Sequence, residues 1–359
     1  MCGPEQGGKR MTFEELIERA QRDQCSDVHI TVGTALAVRR FGVLHVLENE
    51  VPTAEESRNM IYETLTEAEI KKVEAGEDLD FAVFTRNGTR LRANVYHQRN
   101  NIAATYRLLD TSIPDFESLL LPEAARNIIH ETKGLVLITG PTRSGKTTTL
   151  ASMIDQINKT QAKHVITIED PIEYVYYHKK SMIHQREIGR DVSDFASALR
   201  SSLREDPDII MVGEMRDYET ITAAITAAET GHLVFSSLHT NGAAATIERI
   251  LDAYPPEGQE LARNQLSNVL KGVFTQKLLP RADKDGLIMA TEIMLNNQAV
   301  ATQIRDNKLQ QLVSSMQSGL KAGMHTMTWD LRRLMAEGKI TRETAIRYCD
   351  NVKELDSGY

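Results

Sequence analysis

A phosphate-binding loop is the clearest chemical motif in the sequence. Residues 140–147 read Gly-Pro-Thr-Arg-Ser-Gly-Lys-Thr, which matches the pattern G-x-x-x-x-G-K-T in full. An apolar run at residues 135–139 precedes the motif as a predicted strand, and a helical pattern follows it. Backbone N–H groups of such a loop, and the positive end of the helix dipole, hold phosphate oxygens.

We therefore predict a nucleotide site in this loop. Lys146 would reach the β- and γ-phosphates, and the hydroxyl of Thr147 would ligate Mg²⁺. The residues predicted to surround the phosphates are Gly140, Pro141, Thr142, Arg143, Ser144, Gly145, Lys146, Thr147 and Thr148. The motif indicates nucleotide binding and leaves open which nucleotide is bound and how its energy is used.

Carboxylates follow two other predicted strands, at the end where parallel sheets bind ligands. Glu214 follows an apolar run and one glycine, which is the place of the acid that supports Mg²⁺ in P-loop enzymes. Glu169, Asp170 and Glu173 follow another apolar run. Surface acids in a loop would explain Glu169 and Asp170 equally well, whereas a buried strand would aim Glu214 at the edge of the sheet.

Two histidines flank a further predicted strand. His232 precedes the strand and His239 follows it, seven positions later. This spacing is not typical of zinc ligands. From spacing alone, structural histidines and functional histidines are equally good interpretations.

The elements that would position these residues form an α/β domain. Short, nearly continuous apolar runs alternate with helical patterns, which predicts a parallel sheet buried on both faces. From Asn297 onward the pattern is helical only. The apolar runs lie at residues 135–139, 165–168, 209–212 and 233–238.

A smaller α+β domain is predicted before them. Thr12 and Glu15 form one capping box and Thr53 and Glu56 another, so each pair predicts the start of a helix. Apolar and polar residues alternate at 90–95, which predicts a half-exposed strand. We predict an N-terminal domain at 1–110 with a loose tail at 1–10, a linker at 111–122, and a second domain at 123–359.

Composition narrows the classes of partner and location. The 359 residues carry a net charge of −8 without a block of Lys and Arg, so no nucleic-acid partner is expected. The three cysteines, Cys2, Cys25 and Cys349, are scattered and predict neither a zinc site nor a disulfide framework. No apolar run approaches the roughly 20 residues of a membrane span, and the start is not a signal peptide. We therefore expect a cytoplasmic protein.

Taken together and in this order, the motifs resemble the secretion ATPase superfamily that drives type II secretion and type IV pili. The matching segments are the P-loop and residues 168–174, 213–217 and 230–240. The resemblance implies a PAS-like N-terminal domain and a RecA-like domain that hydrolyses ATP with Mg²⁺. The family usually has glycine where this chain has Arg143, and a Gly-Thr pair where it has Ser236-Ser237.

The resemblance also implies a role for each remaining polar residue. Glu173 would activate water, and Glu214 would hold Mg²⁺ through a water. His239 and His232 would sense the γ-phosphate. Arg92 and Arg107 of the N-terminal domain would complete the site.

Within the superfamily, the chain is most similar to the pilus-retraction branch. Its N-terminal domain opens with Ser-Asp-Val-His-Ile at 26–30, three cysteines cannot form the four-cysteine module of the assembly ATPases, and residues 299–306 resemble a retraction motif. This branch implies a homohexamer with sites between subunits, docked at the inner face of the cytoplasmic membrane on a pilus platform protein. A second retraction or assembly ATPase would be a further partner.

Three alternatives remain open. The first is a pilus-assembly or type II secretion ATPase, which the missing zinc ligands disfavour. The second is a nucleic-acid motor of the same fold, which the acidic composition disfavours. The third is a non-enzymatic accessory subunit, which the complete set of catalytic motifs disfavours.

Overall fold

The structure is a computed structural model that describes residues 11–40, 43–47, 51–109, 112–349 and 352–356. The chain divides into two compact units, Met1–Ser112 and Ile113–Tyr359. The predicted loose tail at 1–10 lies outside the described residues.

The first unit is an α+β fold built on an antiparallel sheet. Its strands lie in the order β3-β2-β1-β6-β5-β4. The strands are β1 Cys25–Ile30, β2 Ala37–Arg40, β3 Val43–Val46, β4 Leu79–Phe84, β5 Arg90–Gln98 and β6 Asn101–Leu108. The helices are α1 Phe13–Arg22, α2 Ala54–Tyr62 and α3 Glu67–Glu74.

Local sequence signals explain these elements. Thr12 Oγ1 accepts the N–H of Glu15 and the Glu15 carboxylate accepts that of Thr12, so the predicted capping box starts α1. The box at Thr53 starts α2 in the same way. In β5, the alternate residues Leu91, Ala93 and Val95 are fully buried, so the predicted half-exposed strand is confirmed.

The second unit is an α/β fold whose sheet has the order β13-β12-β7-β11-β10-β8-β9. All neighbours are parallel except β12 and β13. The strands are β7 Gly134–Thr139, β8 His164–Glu169, β9 Met182–Glu187, β10 Ile209–Val212, β11 Leu233–Leu238, β12 Leu270–Pro280 and β13 Leu287–Leu295. The predicted doubly covered parallel sheet is confirmed, because β7, β10 and β11 are buried throughout.

Helices cover both faces of this sheet. The first group is α4 Glu123–Ile128, α5 Lys146–Thr160, α6 Phe195–Ser202, α7 Tyr218–Glu229, α8 Ala243–Asp252 and α9 Gln259–Val269. The C-terminal group, which follows the last strand as predicted, is α10 Gln298–Arg305, α11 Leu312–Ser318, α12 Met327–Ala336, α13 Arg342–Tyr348 and α14 Val352–Asp356. In the part of the chain that the structure describes, no helix combines the length and the apolar character that crossing a membrane requires.

Two features of the second unit were not predicted. The strands β9, β12 and β13 were missed because their sequences mix charged and apolar residues, unlike the continuous apolar runs. Most of the predicted linker packs into the second unit, since Phe116 and Leu121 belong to its core and are 3% and 5% exposed.

Candidate functional site

The order of three neighbouring parallel strands gathers the predicted site. The P-loop follows β7, His239 follows β11, and Glu214 follows β10. Because β11 lies between β7 and β10, and parallel strands end at the same edge, the histidine lies between the loop and the carboxylate. The sequence motifs are therefore brought together by strand order.

The backbone of the P-loop requires glycine at its first position. Gly140 has φ 136°, and a Cβ atom there would lie 2.3 Å from the carbonyl oxygen of Gln276. Arg143 has φ 65° although it is not glycine. The left-handed region costs an L-residue about 1–2 kcal/mol, so Arg143 is strained where the family usually has glycine.

Gln276 supports the loop and was missed from the sequence. It lies on β12, next to β7, where the pairing of Thr275 with Thr139 brings it level with Gly140. Its side-chain amide donates to the carbonyl of Ser144 at 2.7 Å, and the residue is 2% exposed. An amide in a buried strand was the available signal, but the strand itself was not recognised.

Lys146 points into the loop. Its Nζ donates to the carbonyls of Gly140 and Pro141 at 2.8 and 3.0 Å and lies 3.4 Å from Nδ1 of His239. Burial lowers the pKa of the Lys146 ammonium from its usual value, and the Glu214 carboxylate opposes that shift. A phosphate beside this desolvated cation would meet little competition from water.

Glu214 and His239 form the other half of the cluster. Glu214 Oε2 lies 3.3 Å from Nε2 of His239, and Oε1 lies 2.5 Å from a guanidinium nitrogen of Arg216. The glutamate side chain is 13% exposed, so the interpretation of Glu214 as an acid held at the sheet edge is supported. His239 thus contacts both Lys146 and Glu214 through its two ring nitrogens.

The serines that replace the usual Gly-Thr pair tie β11 to the loop that carries Glu214. Ser236 Oγ donates to the carbonyl of Val212 at 2.8 Å. Ser237 Oγ donates to that of Gly213 at 2.6 Å, and its own carbonyl accepts the N–H of Met215. Relative to a Gly-Thr pair, only the Ser236 hydroxyl adds a bond, because a threonine hydroxyl could replace that of Ser237 and the bond to Met215 is made by the backbone.

The acids after β8 have different environments. Glu173 is half-buried, and its carboxylate has no hydrogen-bond or ion-pair partner among the described residues. Glu169, the last residue of β8, is only 5% exposed and accepts from Thr167 Oγ1 and Gln185 Nε2, which excludes the alternative of a surface acid at this position. Beside them, Tyr174 bonds Thr148 of the P-loop through the two hydroxyl groups, 3.1 Å apart.

His232 is not brought to this site. It precedes β11, at the opposite edge of the sheet from the P-loop, and the strand of six residues between it and His239 spans about 20 Å. Its Nδ1 lies 3.0 Å from the carbonyl of Ala227 in α7 and 3.3 Å from Thr230 Oγ1. Within its own chain His232 therefore closes the end of a helix, and the prediction that it senses the γ-phosphate with His239 gains no support.

The two predicted arginines lie in the first unit. Arg92 and Arg107 are opposite each other on β5 and β6, so both side chains leave the same face of the sheet. Arg92 pairs with Asp80, and Arg107 Nε donates to Asp27 at 2.9 Å. Although burial raises the pKa of Asp27, its bonds with Ser26 and Arg107 bring that pKa below its usual value.

The residues present fit a magnesium nucleotide. Thr147 is exposed at the start of α5, and Ser144 Oγ is buried without a hydrogen-bond partner in the described chain. Carboxylate and hydroxyl oxygens are ligands that Mg²⁺ prefers, and it completes its shell with phosphates and water. In the described ranges, no group of three His, Cys, Asp or Glu residues could hold a metal alone, so Thr147 and Glu214 would depend on the nucleotide.

We predict that Lys146→Ala abolishes Mg²⁺-dependent ATP hydrolysis, because it removes the ammonium that lies against the carbonyls of Gly140 and Pro141, where the phosphates would bind. Glu173→Gln should keep nucleotide binding and lose turnover, since only proton transfer from water needs the carboxylate. Steady-state phosphate release and titration with a fluorescent ADP analogue measure the two properties. Wild-type turnover in Lys146→Ala would refute the assignment. The control is Glu123→Gln, an exposed position on α4 that should leave both properties unchanged.

Comparison with known proteins agrees with this geometry. The Type II/IV secretion system protein family matches residues 6–345. A twitching motility protein of Neisseria gonorrhoeae is 44% identical over 89% of this chain and 85% of its own length. The type IV pilus retraction ATPase PilT of Pseudomonas aeruginosa is 40% identical over 93% of this chain and 97% of its own length.

A solved structure gives the same result in three dimensions. The pilus retraction motor PilT with bound ADP superposes with a TM-score of 0.91 at 45% identity, covering 97% of this chain and 99% of that one. The predicted RecA-like ATPase fold and the predicted resemblance to retraction ATPases are confirmed. The chain belongs to the Type II/IV secretion system protein family.

Proposed function

We propose that this chain is the ATP-hydrolysing motor that powers retraction of a type IV pilus. The observation that carries the proposal is the similarity to the retraction ATPase PilT along 97% of that protein's length. The cluster of Lys146, His239 and Glu214 supports it, because these residues sit together at the loop that would hold the phosphates.

The chemistry follows from the residues in the cluster. Lys146 would bind the β- and γ-phosphates, and Thr147 with Glu214 would hold Mg²⁺, which offsets phosphate charge. Glu173 would take a proton from the attacking water, while the oxygen of that water forms a bond to the γ-phosphorus. The bond from that phosphorus to the bridging oxygen would break, releasing ADP and phosphate. His239, which lies between Lys146 and Glu214, would sense whether the γ-phosphate is present.

We further propose that the active assembly is a homohexamer and that Arg92 and Arg107 complete the site of a neighbouring subunit. The two arginines lie side by side on one face of the first unit's sheet. Each is held by a carboxylate of its own unit, Arg92 by Asp80 and Arg107 by Asp27, and we propose that both turn to the phosphates of the neighbouring subunit. An arginine supplied in trans can accelerate phosphoryl transfer by about 10³–10⁵-fold.

Mixing two inactive variants tests this arrangement. Rings made from Lys146→Ala subunits and Arg92→Ala/Arg107→Ala subunits should regain part of the ATPase activity, because some interfaces would join an intact loop to intact arginines. Native mass spectrometry verifies that mixed rings form. Mixed rings without activity would contradict the contribution of these arginines in trans. The control is Arg99→Ala, at an exposed position in a turn of the same unit, which should have wild-type ATPase activity.

The work of the motor would be pulling subunits out of the pilus. We propose that the ring acts at the inner face of the cytoplasmic membrane through a docked platform protein, in line with the similarity to the retraction ATPase PilT. A second retraction or assembly ATPase would share that platform. No nucleic acid is involved. ATP binding would move the two units of each chain relative to one another, and the ring would pass that motion on.

Cells lacking this gene should carry more surface pili than wild type and should not twitch. A chromosomal Lys146→Ala change should give the same phenotype, because the protein would be present without cycling. Electron microscopy of pili and a subsurface motility assay measure both outcomes. Cells without pili would show instead that the protein assembles pili, and complementation with the wild-type gene is the control.

A further inference from the structure

One carboxylate in the second unit caps the start of two helices. Glu292 lies on β13, where Oε1 accepts the N–H of Ala243, the first residue of α8, at 2.7 Å. Oε2 accepts the N–H of Met327, the first residue of α12, at 3.2 Å. The first N–H groups of a helix have no partner within the helix, and the helix dipole is positive at that end. The Glu292 carboxylate therefore stabilises the N-terminus of α8 and that of α12.

The two helices do not depend on Glu292 equally. The residue that precedes α8, Gly242, has φ 117° and ψ 153° and offers no side-chain cap. A Cβ atom at Gly242 would lie 3.4 Å from Glu292 Oε1, so the glycine also leaves room for the carboxylate. In contrast, α12 has a cap of its own, because Thr326 Oγ1 accepts the N–H of Trp329 at 3.3 Å.

The loop that contains His239 leads directly into the first turn of α8. Only three residues separate His239 from Ala243. Within this short loop, Thr240 Oγ1 lies 2.7 Å from Thr246 Oγ1, and the Thr246 hydroxyl also donates to the carbonyl of Gly242 at 2.7 Å. The backbone at His239 is therefore fastened to the first turn of α8 and must follow any movement of that turn.

We propose that Glu292 is a positioning residue for ATP hydrolysis. It holds the start of α8, and so the loop from which His239 reaches Lys146 and Glu214. By bonding α12 with its other oxygen, it also joins that loop to the C-terminal helices. The inference rests on the proposed role of His239 in hydrolysis.

Substitution of Glu292 should change turnover more than binding. Glu292→Gln keeps the shape of the side chain but replaces one acceptor oxygen with an NH₂ group, which would face a backbone N–H. Glu292→Ala removes the bonds to Ala243 and Met327. We expect kcat to fall about 10- to 100-fold, as misplacement of a catalytic group does, with the Kd for a fluorescent ADP analogue within about threefold of wild type. Thr326→Ala removes a cap from α12 alone and should lower Tm by about 2–4 °C while leaving kcat unchanged.

A double-mutant cycle separates this inference from the proposed function. If Glu292 acts through His239, His239→Ala/Glu292→Gln should turn over no more slowly than His239→Ala alone. If the fold-losses in kcat of the two single variants multiply in the double variant, the positioning role is wrong. It is also wrong if Glu292→Gln has wild-type kcat, or if it loses kcat and ADP affinity in parallel with its Tm. Full activity of His239→Ala would instead refute the proposed role of the histidine, whatever Glu292 does.

Discussion

The adjacency of β7, β11 and β10 in one parallel sheet is the constraint on which the site depends. Each strand ends in a different motif, and parallel pairing makes all three end at the same edge. His239 can contact Lys146 on one side and Glu214 on the other only because its strand is the middle one. A different strand order would leave every motif intact in sequence and separate them in space.

Contacts outside the motifs turn this adjacency into defined geometry. Gln276 holds the P-loop from the neighbouring strand β12, and the Ser236-Ser237 pair holds the loop of Glu214. Glu292 holds the helix that follows His239. Each of these groups is a buried or half-buried hydrogen-bonding side chain on a strand, and leaving a buried partner without its bond costs about 1–3 kcal/mol.

The sequence allowed the phosphate loop, four of the parallel strands and the place of Glu214 to be predicted, because these depend on local patterns. It did not allow Gln276 and Glu292 to be found, because their importance comes from which strands and helices become neighbours. His232 shows a different limit. Family resemblance grouped it with His239, although a strand of six residues must put its two ends about 20 Å apart.

The central claim is that Lys146, His239 and Glu214 act as one unit on the phosphates of ATP. Structures of the protein with Mg²⁺ and ADP, and with Mg²⁺ and a non-hydrolysable ATP analogue, test it most directly. We expect Lys146 Nζ to leave the carbonyls of Gly140 and Pro141 for a phosphate oxygen in both, and His239 to contact the γ-phosphate in the analogue complex alone. A His239 side chain that stays on Glu214 and away from the γ-phosphate would contradict the account.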